Sequence, residues 1–107
     1  MMIVVNTDYI SGYEIWQVLG IAQGSVVQSK HVGRDIMAGL KTIVGGEIKG
    51  YTEMLTEARK IAFERMVQDA ETLNADGIVN VRYTTSEVMQ GSSELLAYGT
   101  AVKIKKR

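Results

Sequence analysis

The sequence predicts an α+β fold in which a small antiparallel sheet packs on one long helix. Three observations lead to this class. Residues 47–73 have helical hydrophobic periodicity, strand-like segments flank them on both sides, and turn-forming residues separate the segments. The predicted order of elements is β-β-α-α-β-β. A chain of 107 residues has the length of one domain, so we expect a single domain over residues 1–107.

Two strands are predicted before the helices. Residues 2–6 form a short first strand. Residues 15–28 are rich in Ile, Val, Leu and Trp at both odd and even positions, a pattern typical of a strand that is partly buried on both faces. Gly20 and Gly24 interrupt this strand, and we interpret them as a bulge or bend.

Two helices follow. A short helix is predicted from near Gly33 to Gly45 and Gly46, because the apolar residues between them have helical spacing: Ile36, Met37, Leu40, Ile43 and Val44. The long helix is predicted to begin at about Glu47, whose carboxylate would favour the positive end of the helix dipole. It is predicted to stop at a cluster of turn residues: Asn74, Ala75, Asp76 and Gly77.

The apolar face of the long helix also carries charges. At about 100° per residue, one face collects mostly apolar side chains: Tyr51, Leu55, Ala58, Ala62, Met66, Ala70 and Leu73. Arg65 and Asp69 lie on the same face, four residues apart, and Arg59 lies at its margin. Because burying an unpaired charge is costly, these residues predict either an ion pair or contact with a second chain.

Two strands complete the chain. Residues 78–85 alternate, with Val79, Val81 and Tyr83 on one face, and a polar loop is expected over residues 86–94. Residues 95–105 form the last strand, one face of which includes three small residues: Ala97, Gly99 and Ala101. Small residues allow a helix or another chain to approach closely. Since one helix covers only one face of the sheet, we expect a neighbouring subunit to cover the other.

Composition limits the function. Four of the twelve basic residues lie in 103–107, which leaves eight basic residues against twelve acidic ones in the body of the chain and argues against nucleic-acid binding. The chain contains no cysteine, so it has neither disulfides nor thiolate metal sites. The N-terminal residues lack the pattern of a signal peptide. No apolar segment reaches the length of about 18 residues that a membrane-spanning helix needs. We therefore expect a cytoplasmic protein without a membrane or nucleic-acid partner.

Two motifs could carry chemistry. His31, the single histidine, is followed at i+4 by Asp35, but two ligands are too few for a tight metal site, and a surface histidine is the favoured reading. Gly45 and Gly46 precede Glu47 in the manner of a phosphate loop, but the lysine of that motif is missing and Glu47 would repel an anion. The favoured interpretation is a turn between the two helices in which one or both glycines adopt a positive φ. The remaining hypothesis is that several copies of Glu47 surround a cation at an interface or pore.

Taken together, several segments resemble the YbjQ-like family of small bacterial and archaeal proteins, which carry a heavy-metal-binding label. The segments are 31–40, 43–47, 51–52, 58–59, 65–66 and 98–102, so the resemblance covers almost the whole chain. It implies a dodecin-like subunit that assembles as a ring, with a pentamer as the expected form, and it supplies no demonstrated activity. The family tends to have Gly-Ala-Asn-Ala after the helix, where this chain has Asn-Ala-Asp-Gly at 74–77. The metal label fits this member poorly, because soft cations prefer thiolates.

These observations predict a homo-oligomeric binding or assembly protein without enzymatic activity, whose ligand would lie at subunit interfaces. The candidate ligand or interface residues are Gly45, Gly46, Glu47, Tyr51, Arg59, Arg65 and Asp69. One alternative is a protein that binds a divalent metal ion through Glu47 and His31. Another is a small-molecule enzyme with a site shared between subunits. The sequence identifies neither a cofactor nor a ligand.

Overall fold

The computed structural model describes residues 2–29, 43–44 and 47–107. The described part of the chain is an α+β structure of one helix and six strands. In chain order they are β1 (Ile3–Val4), β2 (Tyr13–Ser29), β3 (Ile43–Val44), β4 (Glu47–Ile48), α1 (Lys49–Thr72), β5 (Gly77–Met89) and β6 (Ser92–Lys106).

Four of these strands form one sheet in the order β1-β5-β6-β2. Strand β6 pairs antiparallel with both β2 and β5, whereas β1 pairs parallel with β5. The sheet is therefore mixed, and the prediction of a purely antiparallel sheet was wrong at this edge. The physical reason is that β1 and β2 occupy opposite edges and point the same way, so residues 5–12 cross the sheet between them. Ile10 in this crossing packs on Val79 and Val102.

The long second strand is confirmed, and its two glycines have different roles. A register shift between Val18 and Gly20, with Gly20 at φ 134°, confirms the predicted bulge. Gly24 instead pairs in regular register with Ala97, so the interpretation of Gly24 as a bulge or bend was wrong. Its role is the helix contact described below.

The segment before the helix differs from the prediction. Ile43 and Val44, expected in a short helix, form β3 and pair antiparallel with β4. The other residues of that predicted helix lie outside the described residues. Glu47 belongs to β4 and α1 begins at Lys49, so the first turn of the helix contains no acidic residue and Glu47 is not its N-terminal charge. β-branched side chains such as Ile43, Val44 and Ile48 favour extended backbone.

The helix ends as predicted. Asn74 adopts the left-handed conformation with φ 60°. The Ala75 N–H donates to the Ala70 carbonyl at 3.1 Å, and the Asn74 N–H donates to the Glu71 carbonyl at 3.0 Å. These two bonds define a Schellman motif, which satisfies carbonyls at the end of the helix and turns the chain into β5.

The hairpin of β5 and β6 is longer than expected. The predicted loop over 86–94 was wrong, because β5 continues to Met89 and β6 resumes at Ser92, with Gly91 at φ 81° in the turn. A second difference is a register shift at Asn80, which has φ 55°. This shift places Val79 and Val81 in different hydrophobic clusters, contrary to the predicted alternation.

The main core lies between α1 and one face of the sheet. Its buried residues include four of the predicted helix stripe and the small alanines of β6, as expected, together with residues of β2 and β5; they are Ala22, Ala58, Ala62, Met66, Ala70, Ile78, Val81, Leu95, Ala97 and Ala101. Leu55 was expected on the buried stripe but is 38% exposed. We call the opposite side of the sheet, which faces away from α1, the far face.

Candidate functional site

The charged residues of α1 contact the main chain of β2. Arg65 Nη1 donates a hydrogen bond to the Ser25 carbonyl at 2.6 Å, and Asp69 Oδ2 accepts one from the Gln23 N–H at 2.9 Å. The ion pairs within the described residues are Lys103–Asp76 and Lys105–Glu14, so Arg65 and Asp69 do not form the predicted ion pair with each other. Each has a separate main-chain partner.

Gly24 lies between these two anchoring points and touches the helix backbone. A Cβ atom built on Gly24 would meet the Met66 nitrogen, and it would lie 2.5 Å from the Ala62 carbonyl oxygen and 2.6 Å from the Arg65 carbonyl carbon. Real Cβ atoms do not approach backbone atoms so closely. Helix and strand are therefore in main-chain contact at this point, and only glycine allows it.

This cluster protects the edge of the sheet. Strand β2 is an edge strand, and alternate residues of an edge strand direct their N–H and C=O groups away from the sheet. Gln23 and Ser25 have the same parity, and the helix side chains bond to these outward groups. Arg65 and Asp69 thus occupy main-chain positions to which an added strand would otherwise bind.

The other sequence-predicted site residues do not join this cluster. Arg59 is exposed on α1, and its Nη2 donates to the Thr56 hydroxyl oxygen at 3.3 Å. Tyr51 lies in the first turn of α1 and Glu47 in β4, but their side chains are outside the described part. His31, Gly45 and Gly46 lie outside the described residues altogether.

Among the side chains that the structure describes, no group of three or more His, Cys, Asp or Glu is placed to hold a metal ion. The full sequence also lacks cysteine, the preferred ligand of soft cations.

The far face has exposed apolar side chains. On β2, Val18, Ile21 and Val27 are 65%, 70% and 60% exposed, and Tyr98 on β6 is 37% exposed. The register places Val18 opposite the far-face residue Val102, and Tyr98 opposite Gln23, diagonal to Ile21 across the two strands. The crossing segment that contains Ile10 covers one end of the far face, and these residues lie beyond it.

A groove lies where β1 ends beside β5. It has a volume of about 490 Å³ and is lined by residues of β1 and β5, the segment after β1, and the helix: Val4, Val5, Asn6, Phe63, Val81, Arg82 and Tyr83. Arg82 Nη1 donates to the main-chain oxygens of Asn6 at 2.9 Å and Val81 at 3.0 Å, which holds the guanidinium at this edge. Sequence reasoning missed this groove, because it depends on the unexpected parallel pairing of β1.

Asp76 joins the end of the helix to β6. Its Oδ2 accepts a hydrogen bond from the Ile104 N–H at 3.1 Å, and its Oδ1 lies 3.2 Å from Lys103 Nζ. The Ile104 hydrogen bond lowers the pKa of Asp76 most strongly; Lys103 lowers it further, and desolvation opposes both. This group is structural, since it fixes the turn between α1 and β5.

Comparisons place this arrangement of a four-stranded sheet and one helix in a known class. A solved structure from Pediococcus pentosaceus, a protein of unknown function assigned to the DUF74 family, matches with a TM-score of 0.63 and 18% identity over 97% of this chain and 98% of that one. At this level of identity the match shows a shared α+β fold. No helix in the described part of the chain is long and apolar enough to span a membrane.

The family follows from the sequence comparisons. The family model described as "Putative heavy-metal-binding" matches residues 2–105. A UPF0145 protein of Thermosipho africanus is 61% identical over 98% of this chain and 97% of its own length. A UPF0145 protein of Photobacterium profundum is 65% identical over 96% of this chain and 100% of its own length. The chain belongs to this YbjQ-like family, the UPF0145 proteins, and the resemblance found in the sequence is confirmed.

Proposed function

We propose that this chain is the subunit of a cytoplasmic, non-enzymatic binding protein that assembles from several copies, with the far face covered by a second copy. The observation that carries the proposal is the exposure of Val18, Ile21, Val27 and Tyr98 on one side of the sheet. Single exposed apolar residues are ordinary, but a group on one face marks an interaction surface.

Energetics supports a protein contact at the far face. Full burial of an aliphatic side chain is worth roughly 1.5–3 kcal/mol, so covering Ile21 and Val27 alone would be favourable. The polar residues between them on β2 are Gln23 and Ser25, which carry no charge. A second subunit could therefore cover this surface without the large penalty of burying an unpaired ion.

A ring is the form of assembly that the family resemblance implies, with a dodecin-like subunit and five copies. In a ring each contact joins unlike surfaces of identical chains, and such heterologous contacts close only when the rotation between neighbours divides the full circle; otherwise they form open filaments. The ligand of the assembled protein would then lie between neighbouring subunits.

Sedimentation velocity tests the assembly. We expect the parent to sediment as a multiple of the 11.8 kDa chain. The substitutions Ile21→Lys and Val27→Lys should reduce this mass while leaving the circular dichroism spectrum unchanged. Gln68→Lys is the matched control, because it adds the same charge on the exposed side of α1. A monomeric parent, or far-face variants that assemble like the control, would contradict the proposal.

A second candidate, divalent-metal binding, is favoured by the description of the family model. In this chain the carboxylate of Glu47 would be the main ligand, with His31 as a further one, and copies from several subunits would have to combine. Elemental analysis of untagged protein tests it. The Glu47→Gln variant should contain less metal than the parent. The control is Glu53→Gln, which removes an exposed carboxylate of α1 and should leave the metal content unchanged. Equal metal content in both variants would count against this candidate.

The third alternative, an enzyme with a site shared between subunits, stays a prediction. The same holds for the expected lack of nucleic-acid and membrane partners.

A further inference from the structure

The groove beside β1 combines an apolar wall with one oriented cation. Val4, Val81 and Phe63 pack against the main core, and Tyr83 is 45% exposed at the groove. Its volume of about 490 Å³ falls within the range of roughly 300–1,000 Å³ that is typical of small-molecule sites.

Arg82 supplies the polar group of this groove. Its Nη1 is held by the Asn6 and Val81 carbonyls, and within the described residues its Nε and Nη2 have no hydrogen-bond partner. No carboxylate of the described residues forms an ion pair with Arg82. The guanidinium is therefore fixed by one nitrogen, while three N–H donors and a positive charge remain for a ligand.

A carboxylate complements these donors best. Guanidinium and carboxylate form two parallel hydrogen bonds, and charge-assisted bonds of this kind are stronger than neutral ones. The flat side chains of Phe63 and Tyr83 favour an apolar, ring-shaped body next to the charge. Phosphate esters match the charge but not the apolar walls.

We propose that this groove binds a small monocarboxylate with an aromatic body, with the carboxylate on Arg82 and the ring against Phe63 and Tyr83. The groove lies at the β1 edge and is separate from the exposed far-face residues. The proposal therefore goes beyond the assembly function and does not depend on it.

Titration with sodium phenylacetate, followed by two-dimensional NMR of the purified full-length protein, tests this site. We expect a Kd of about 1 mM, typical of a ligand of this size, with the largest shifts at the amides of Arg82, Tyr83 and Phe63. Phenylacetamide has the same shape without the charge and should bind about tenfold more weakly. Acetate, which lacks the ring, should also bind more weakly.

Variants assign the binding to Arg82. Arg82→Gln should weaken phenylacetate binding about tenfold and abolish the preference over phenylacetamide, whereas Arg82→Lys should retain part of the preference. The matched control is Arg107→Gln, because Arg107 also donates to a main-chain carbonyl, that of Tyr13, and lies outside the groove. A folded Arg82→Gln protein that binds phenylacetate like the parent would overturn the proposal. Equal affinity of the parent for acid and amide would overturn it as well. Neither outcome depends on whether the protein assembles, because the mass of the assembly is measured in a separate experiment.

Discussion

Asp69 accepts a hydrogen bond of 2.9 Å from the main-chain N–H of Gln23, which joins the long helix to the edge strand across 46 residues of sequence. One helical turn earlier, Arg65 makes the equivalent contact to the Ser25 carbonyl. The helix thus presents an acceptor to an outward N–H and a donor to an outward C=O of the same strand. This relationship explains why two charges lie on a face that is otherwise apolar.

Because Arg65 and Asp69 have separate partners, their substitutions should be nearly additive. We expect Arg65→Met and Asp69→Ala each to lower the free energy of unfolding by about 1 kcal/mol, less than a buried charged hydrogen bond is worth, because both bonds are exposed to solvent. The coupling energy in the double-mutant cycle should stay below about 0.5 kcal/mol. Urea unfolding at one fixed protein concentration gives all four values. A coupling energy well above this limit would mean that Arg65 and Asp69 interact mainly with each other, as an ion pair.

Gly24→Ala should be more damaging than either charge substitution. Its methyl group would meet main-chain atoms of α1, which cannot rotate away, so we expect a loss of about 2 kcal/mol. Gly12→Asn is the control: Gly12 has φ 82° but no atom within 4 Å of its built Cβ, and Asn tolerates this backbone. Chemical denaturation of both variants checks the contrast, and equal losses would mean that the close contact is not the cause.

Asn74→Gly should stabilise the chain. Asn74 holds φ 60° at the end of the helix, where glycine avoids the steric penalty of a side chain. We expect a gain of about 0.5–1 kcal/mol from Asn74→Gly and a loss of similar size from Asn74→Ala. The two variants act as controls for each other, since both remove the same side chain. A thermal melt in which they shift the midpoint in the same direction would contradict this explanation.

Asp76 should make stability depend on pH. Its pKa is lowered in the folded chain, so its contribution is present above the unfolded pKa of about 3.9 and is lost as pH falls through the folded value. Asp76→Asn should therefore be less stable than the parent at pH 7, and the difference should narrow below about pH 4. Asp8→Asn, an exposed carboxyl without a hydrogen bond in the described residues, is the control. A difference that stays constant from pH 7 to pH 3 would exclude a charge effect.

Much of the fold could be predicted from local pattern. The long helix, the length of β2 and the bulge at Gly20 are each determined by residues near one another in sequence. The parallel pairing of β1 could not be predicted, because two residues, Ile3 and Val4, have no period from which a partner could be deduced.

The candidate site was predicted in part. Periodicity located Arg65 and Asp69 at the interface of α1, but the ion pair between them, one of the two predicted alternatives, is not formed. Side-chain patterns carry no information about which main-chain groups lie on an open sheet edge, and the Gln23 N–H and Ser25 carbonyl are such groups. Likewise, Gly24 was interpreted from its effect on its own strand, whereas its role depends on Met66 and Ala62, about forty residues away.

The main-chain contact at Gly24 has a mechanical consequence. In most helix–sheet packings a layer of side chains separates the two backbones and can absorb small displacements by changing rotamers. Here α1 and β2 touch directly, and Arg65 and Asp69 pin them on either side of the contact. The two elements must move as one body. A neighbour pressing on Ile21 or Val27, on the other side of β2, would displace the helix by a comparable amount.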